Sequence, residues 1–130
     1  DLPAILKEGK EAGIIININV MFGLPGETDE DFMYLMEFLR DNVKSLSMVN
    51  PSLNFTEYYP GSSGNADPAK IGVDLSKGTL FWDSTDGKNT YLKRMERFER
   101  LTKAAKKLNS IGVKAFKYLL HNQASEKAYF

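Results

Sequence analysis

The chain has 130 residues, 42% hydrophobic and 26% charged, with 17 Lys+Arg against 17 Asp+Glu; that suits one domain with its own core and gives no net charge to draw a polyanionic partner. Cys is absent and His121 is the sole His, which removes disulfides, thiol nucleophiles, cysteine-ligated zinc, a histidine-rich metal site and any iron–sulfur cluster held by this chain alone. No apolar run is long enough to span a bilayer, and DLPAILKEGKEAG lacks the apolar stretch of a signal peptide, so no membrane partner is expected and a cytoplasmic home is the default.

Residues 2–12 read as a helix, with Leu2, Ile5, Leu6 and Ala12 on one face and Gly13 at its stop. The sequence begins inside this pattern and without Met, which reads as a segment of a longer protein. IIININVMF, 14–22, reads as a buried parallel strand. Ile14, Ile16, Ile18, Val20 and Phe22 share one greasy face suited to packing against helices. Ile15, Asn17, Asn19 and Met21 share the other. Buried amides need partners, so this second face suits a polar interior or a ligand cavity.

GLPGET, Gly23 to Thr28, follows. Thr28 is a good N-cap for a helix over 29–42, with Asp31 placed to reach back and Asp29, Glu30 and Asp31 at the positive end of the helix dipole. Phe32, Leu35, Met36 and Leu39 make its inner stripe. A second strand is expected at about Leu53 to Tyr58, with Leu46–Val49 as a lead-in, because Pro51 blocks an uninterrupted central strand. Residues 60–88 read as a long Gly-, Ser- and Asp-rich loop around TLFWDS. Asn89 to Ser110 reads as a long helix with Tyr91, Met95, Phe98, Leu101, Ala105 and Leu108 inward, and Gly112 after its end. A short helix at about 113–122 completes an α-β-α-β-α-α order. Helices between strands predict parallel pairing and right-handed crossovers. Two strands cannot make a stable sheet alone, so either strands hide in 60–88 or partner strands lie elsewhere in a longer chain.

GLPGET has two readings from its residues. In one it is a tight strand–helix turn, with Gly23 and Gly26 supplying unusual dihedrals and Pro25 stiffness. The other reading, a phosphate cradle, fails because Glu27 stands where a P-loop needs Lys. Phe55, Tyr58, Tyr59, Phe81, Trp82 and Tyr91 could form a substrate platform, but such residues more often close the end of a core. Lys88 to Lys117 is rich in Lys and Arg with only Glu96 and Glu99 as acids; a solvated helix face is the commoner meaning than an RNA contact, and 27–41 holds a compensating acidic excess. In DSTDGKN, Asp83, Asp86 and Asn89 lack the distal Glu of an EF-hand loop, so a turn and helix cap is expected.

A strand ending in G-F/L-P-G-E-T, then acids, then Phe, resembles the radical S-adenosylmethionine (SAM) superfamily, notably its cobalamin-associated and methylthiotransferase-like branches. The resemblance covers Gly13 to Leu39 and extends weakly to FTEYYPGSSG, 55–64. It implies a fragment of a partial (βα)6 barrel: 1–59 as barrel βα units, 60–88 as a loop and 89–122 as C-terminal helices, a single α/β segment over 1–130. In the superfamily's GxIxGxxE form of this strand end, Asn19 takes the first Gly place and Met21 the Ile place, and one extra residue separates Gly23 from Glu27. The resemblance implies Met21 against the adenine of SAM, Asn19 beside it, and the Gly23, Pro25, Gly26, Glu27 turn shaping the pocket. It also implies a 4Fe–4S cluster, with cobalamin as a further candidate cofactor. The cluster's CxxxCxxC motif is missing here, so the N-terminal half of the parent barrel is the expected partner and this chain alone is expected to be inactive. Self-association through exposed strand edges is expected as well. The alternative is a self-contained α/β binding or protein-interaction module with no catalytic activity, in which GLPGET is only a turn.

Overall fold

The computed structural model describes the backbone of residues 1–51 and 56–124, and the side chains of those up to 110. Helix α1 spans Leu2–Glu11. It ends where Gly13 takes φ 79° and its N–H donates to the Lys10 carbonyl. Of its expected inner face only Leu6 is buried; Leu2 and Ile5 stand exposed. Strand β1 is shorter than the apolar run predicts, Asn17–Val20. Its start is delayed because Ile14 N–H still bonds the Gly9 carbonyl, carrying the helix end into the apolar run.

Helix α2, Asp29–Asn42, matches its expected bounds. A reciprocal capping box fixes its start: Thr28 Oγ1 accepts from Asp31 N–H at 3.1 Å, and Asp31 Oδ2 accepts from Thr28 N–H at 2.9 Å. Phe32 and Leu39 are buried, and Leu35 and Met36 pack beside them. After a 3-10 turn at Val43–Ser45 comes β2, Met48–Pro51. It is parallel to β1, with Asn17 opposite Met48, Ile18 opposite Val49 and Asn19 opposite Asn50. The lead-in segment therefore provides the strand that pairs with β1. Pro51 is tolerated as its last residue on an edge, where a missing N–H costs no ladder bond. Residues 56–59 carry no strand, and 53–55 lie outside the described residues.

The 60–88 stretch is structured. It holds a short helix α3 at Ser63–Ala66, a 3-10 turn at Pro68–Ile71, and strands β3, Val73–Asp74, and β4, Asp83–Ser84. These two strands pair antiparallel with each other and do not join β1 and β2. Tyr58, Val73 and Trp82 form a small second core there. The last helix, α4, runs without a break from Tyr91 to Ala124. Gly112 does not stop it: a glycine inside a helix costs about 1 kcal/mol, which the continuing ladder can absorb. The expected pair of C-terminal helices is thus one.

The fold is mixed α/β. Helix α4 packs across β2, and α2 packs on α4. The main core gathers Leu6, Val20, Phe22, Phe32, Leu39, Leu46, Val49, Leu101 and Ala105. No described helix is long and apolar enough to cross a membrane.

Candidate functional site

The site proposed from sequence lies at the carboxyl end of β1 and in the turn that follows. Within β1 the alternation sorts the side chains as expected, whereas Ile14, which precedes the strand and was expected on its packed face, is exposed. Val20 and Phe22 are buried, with Ile16 and Ile18 packed beside them. Phe22 stacks near Phe98, with ring centres 6.2 Å apart. On the opposite face Asn17 and Asn19 are exposed and Met21 is 67% exposed. Asn19 meets Asn50 of β2, whose Nδ2 donates to Asn19 Oδ1 at 3.3 Å. Nothing in the sequence pattern marks Asn50, because that pattern places the second strand further on.

The turn is built from its own residues. Glu27 N–H donates to the Leu24 carbonyl at 3.0 Å, with Pro25 and then Gly26 at φ 79° between them. That is a type II turn, which wants Pro first and a positive-φ residue second. Gly23, at φ 77°, precedes it. A Cβ there would lie 2.7 Å from Arg94 Cδ, so Gly23 makes room for a side chain of α4 and not for open ligand space. Pro25 lines a hollow of about 460 Å³ with Tyr58, Gly64 and Lys70. Gly26 and Glu27 line another of about 260 Å³ with Ser84, Asp86 and Asn89.

Glu27 is fully engaged. Its Oε2 accepts from Gly23 N–H at 2.7 Å, and its Oε1 accepts from Arg97 at 2.8 Å. The second arm of Arg97 donates to Asp29 Oδ1 at 2.8 Å, and Lys93 donates to Asp29 Oδ2 at 3.0 Å. Arg97 is 3% exposed, so its pair with Glu27 is sheltered, whereas Asp29 remains 65% exposed. The hydrogen bond from Arg97, then that from Lys93, holds the Asp29 carboxyl below its usual range. The acidic excess at 27–41 thus meets the basic helix in this clasp.

Arg94 is fully buried and, among the described residues, forms no salt bridge with a carboxylate. Its Nη2 donates to the Trp82 carbonyl at 2.6 Å and to the Leu80 carbonyl at 3.4 Å. Its Nη1 donates to the Asn89 carbonyl at 3.2 Å. The guanidinium carbon sits 3.7 Å from the centre of the Trp82 ring, a cation–π stack. Burial pushes it down to about 10, which leaves it charged at neutral pH. Asn89, also buried, donates its Nδ2 to the Leu24 carbonyl at 2.7 Å. Arg94, Arg97 and Asn89 therefore anchor GLPGET to α4 and the segment before it. Sequence reasoning missed all three roles. A signal was present: Arg94 and Arg97 share helical spacing with Phe98, Leu101 and Ala105, so they fall on the inward stripe.

The other candidates resolve as structure. Trp82 and Tyr58 meet edge to face, 5.6 Å apart, as do Phe81 and Tyr91 at 4.9 Å; Tyr59 is exposed, and Phe55 lies outside the described residues. In DSTDGKN, Asp86 Oδ1 accepts from Ser84 Oγ and Lys88 N–H, and Asp83 Oδ1 accepts from Tyr91 N–H at 2.8 Å, capping α4. The His121 side chain lies outside the described residues. Comparison with protein-family models, curated proteins and solved structures finds no match to this chain.

Proposed function

We propose that this chain is the C-terminal portion of a radical SAM enzyme, contributing a wall of the barrel and part of the SAM pocket, with the N-terminal half of the barrel as its partner. The observation that carries this reading is the open sheet face. Asn19 and Met21 stand exposed at the carboxyl end of β1, beside Asn50 of β2. Ligands of parallel α/β sheets gather at that end of the strands. The residue types fit an adenine: a thioether packs on an aromatic ring, and amides both donate to and accept from its edge.

The 4Fe–4S cluster does not fit residues of this chain. The sequence has no thiol, and among the described residues no three His, Cys, Asp or Glu side chains are grouped so as to hold a metal ion. The cluster, which supplies the electron for SAM cleavage in the superfamily, would be held by the other half of the barrel. No residue here is assigned to cobalamin. What Asn19, Met21 and Asn50 do is bind and orient the adenosyl group. Glu27 works at one remove, because its carboxylate is consumed by Gly23 and Arg97.

That consumption favours the second reading, an α/β binding or interaction module in which GLPGET is a packing turn. A SAM titration on the polypeptide carrying this segment, beside denaturant melts, separates the two. Met21→Ala weakens SAM binding at unchanged stability, whereas Val20→Ala opens a core cavity and costs about 1–3 kcal/mol of stability with little effect on affinity. Equal SAM affinities for the two variants would sink the cofactor-facing assignment.

A further inference from the structure

The two edges of the β1–β2 sheet are not equivalent. On β2 the outer edge is already occupied. Val49 N–H donates to Asn109 Oδ1 at 2.7 Å, and the Val49 carbonyl accepts from Asn109 Nδ2 at 3.0 Å. One amide side chain from α4 thus makes both bonds that a neighbouring strand would make. Among the described residues, β1 has no such cap: it pairs with β2 alone. The Ile16 carbonyl accepts from β2 and the residue before it, from Met48 N–H and Ser47 N–H. Ile16 and Ile18 therefore point their main-chain groups toward β2. By the alternation of an extended chain, Asn17 and Asn19 point theirs outward. Ile14 and Ile15 at the near end of this edge are exposed, as is Met21 at the far end.

The residues along the open edge read the same in both directions about Ile18. An antiparallel copy centred there sets Asn17 opposite Asn19, Ile15 opposite Met21, and Ile16 opposite Val20. Amide meets amide and apolar meets apolar at every step, as cross-strand pairing favours. The hydrogen-bonding geometry agrees. The outward-pointing Asn17 and Asn19 would form the pairs that exchange two bonds, and Ile18 would sit on the two-fold axis as a non-bonded pair.

We propose that β1 is a dimerisation edge. Two copies of this chain join β1 to β1 in antiparallel fashion about Ile18, giving a four-stranded sheet in the order β2–β1–β1–β2. The assembly stops at two, because Asn109 blocks the β2 edge of each copy. It also relieves a sheet that has two strands among the described residues, fewer than stand on their own in water. The dimer does not depend on the SAM reading and competes with it: in a closed barrel the edge it fills would take the neighbouring strand of the N-terminal half.

The test is sedimentation of the chain over a range of concentrations, with two exposed-site double variants and a melt of each. The chain as it stands gives a monomer–dimer equilibrium. N17K/N19K places introduced lysines opposite each other across the axis and raises the dissociation constant by about tenfold or more. N17K/N19E carries the same first change but sets opposite charges face to face, and returns the constant to near that of the parent. A monomer at every concentration overturns the proposal. So do assemblies larger than a dimer, or equal dissociation constants for the two variants, since either result puts the contact in another register or on another surface.

Discussion

Along β1, neighbouring residues have opposite fates. Val20 and Phe22 are buried against the helices, while Asn19 and Met21 between and beside them are exposed. The turn that ends the strand belongs with the buried set. Gly23 is filled by Arg94, Glu27 is held by Arg97, and the Leu24 carbonyl is held by Asn89. A motif that reads as a ligand rim can thus be consumed by its own fold. The surface left for a ligand or a partner is the one no charged network has claimed.

Breaking the turn's anchorage should show this contrast most strongly. Arg94→Met keeps an unbranched chain near Trp82 but removes the guanidinium donors to the Leu80, Trp82 and Asn89 carbonyls, of which the last keeps the Ser84 N–H. Buried acceptors left without partners cost about 1–3 kcal/mol each, so a loss of about 2 kcal/mol or more is expected in denaturant melts. A loss near zero would mean that the clasp is decorative.

Gly23→Ala comes next. A side chain at positive φ costs about 1–3 kcal/mol, and the 2.7 Å approach to Arg94 adds to it. In an Arg94→Ala background the second part vanishes, so the same substitution should cost less there. A double-mutant cycle reads the difference, and strict additivity would show that the two residues do not touch.

The smallest effect is in acid. Asp29 is held below the usual carboxylate range by Arg97 and then Lys93, and Asp31 by the Thr28 N–H and then its hydroxyl. Carboxyls lowered on folding contribute stability that is fully present above the ordinary Asp value of about 3.9 and is lost as pH falls through the folded value. Stability should therefore decline below about pH 5, toward full loss of the contribution in stronger acid. Asp29 is largely exposed, so screening limits its share to about 0.5 kcal/mol or less. Melts of the parent and Asp29→Asn across this range should converge at the acid end; a constant gap would remove Asp29 from the account.

The sequence showed most clearly what is local. The Thr28–Asp31 capping box and the stripe of α2 depend on residues three and four apart, and both stand where expected. The face alternation of β1 also needed only neighbouring residues. Contacts across the chain were not legible. Arg94 and Arg97 read as part of a solvated basic face until their partners were in place. Gly112 read as a stop because propensity weighs one residue, whereas α4 continues through it. Pro51 points to a second strand further along because it breaks a central strand, whereas it ends β2, an edge strand capped by a side chain.

The clasp on the turn also sets an order of events in folding. Glu27 and Arg97 are 70 residues apart in the chain, Asn89 and Leu24 are 65 apart, and Val49 and Asn109 are 60 apart. Contacts that distant close large loops and come late and slowly compared with a helix cap. During synthesis α1, β1 and α2 leave the ribosome before α4 exists. Until Arg94, Arg97 and Asn109 arrive, the Gly-Leu-Pro-Gly turn and the β2 edge are without their anchors, and this interval is when the nascent chain is most open to mispairing.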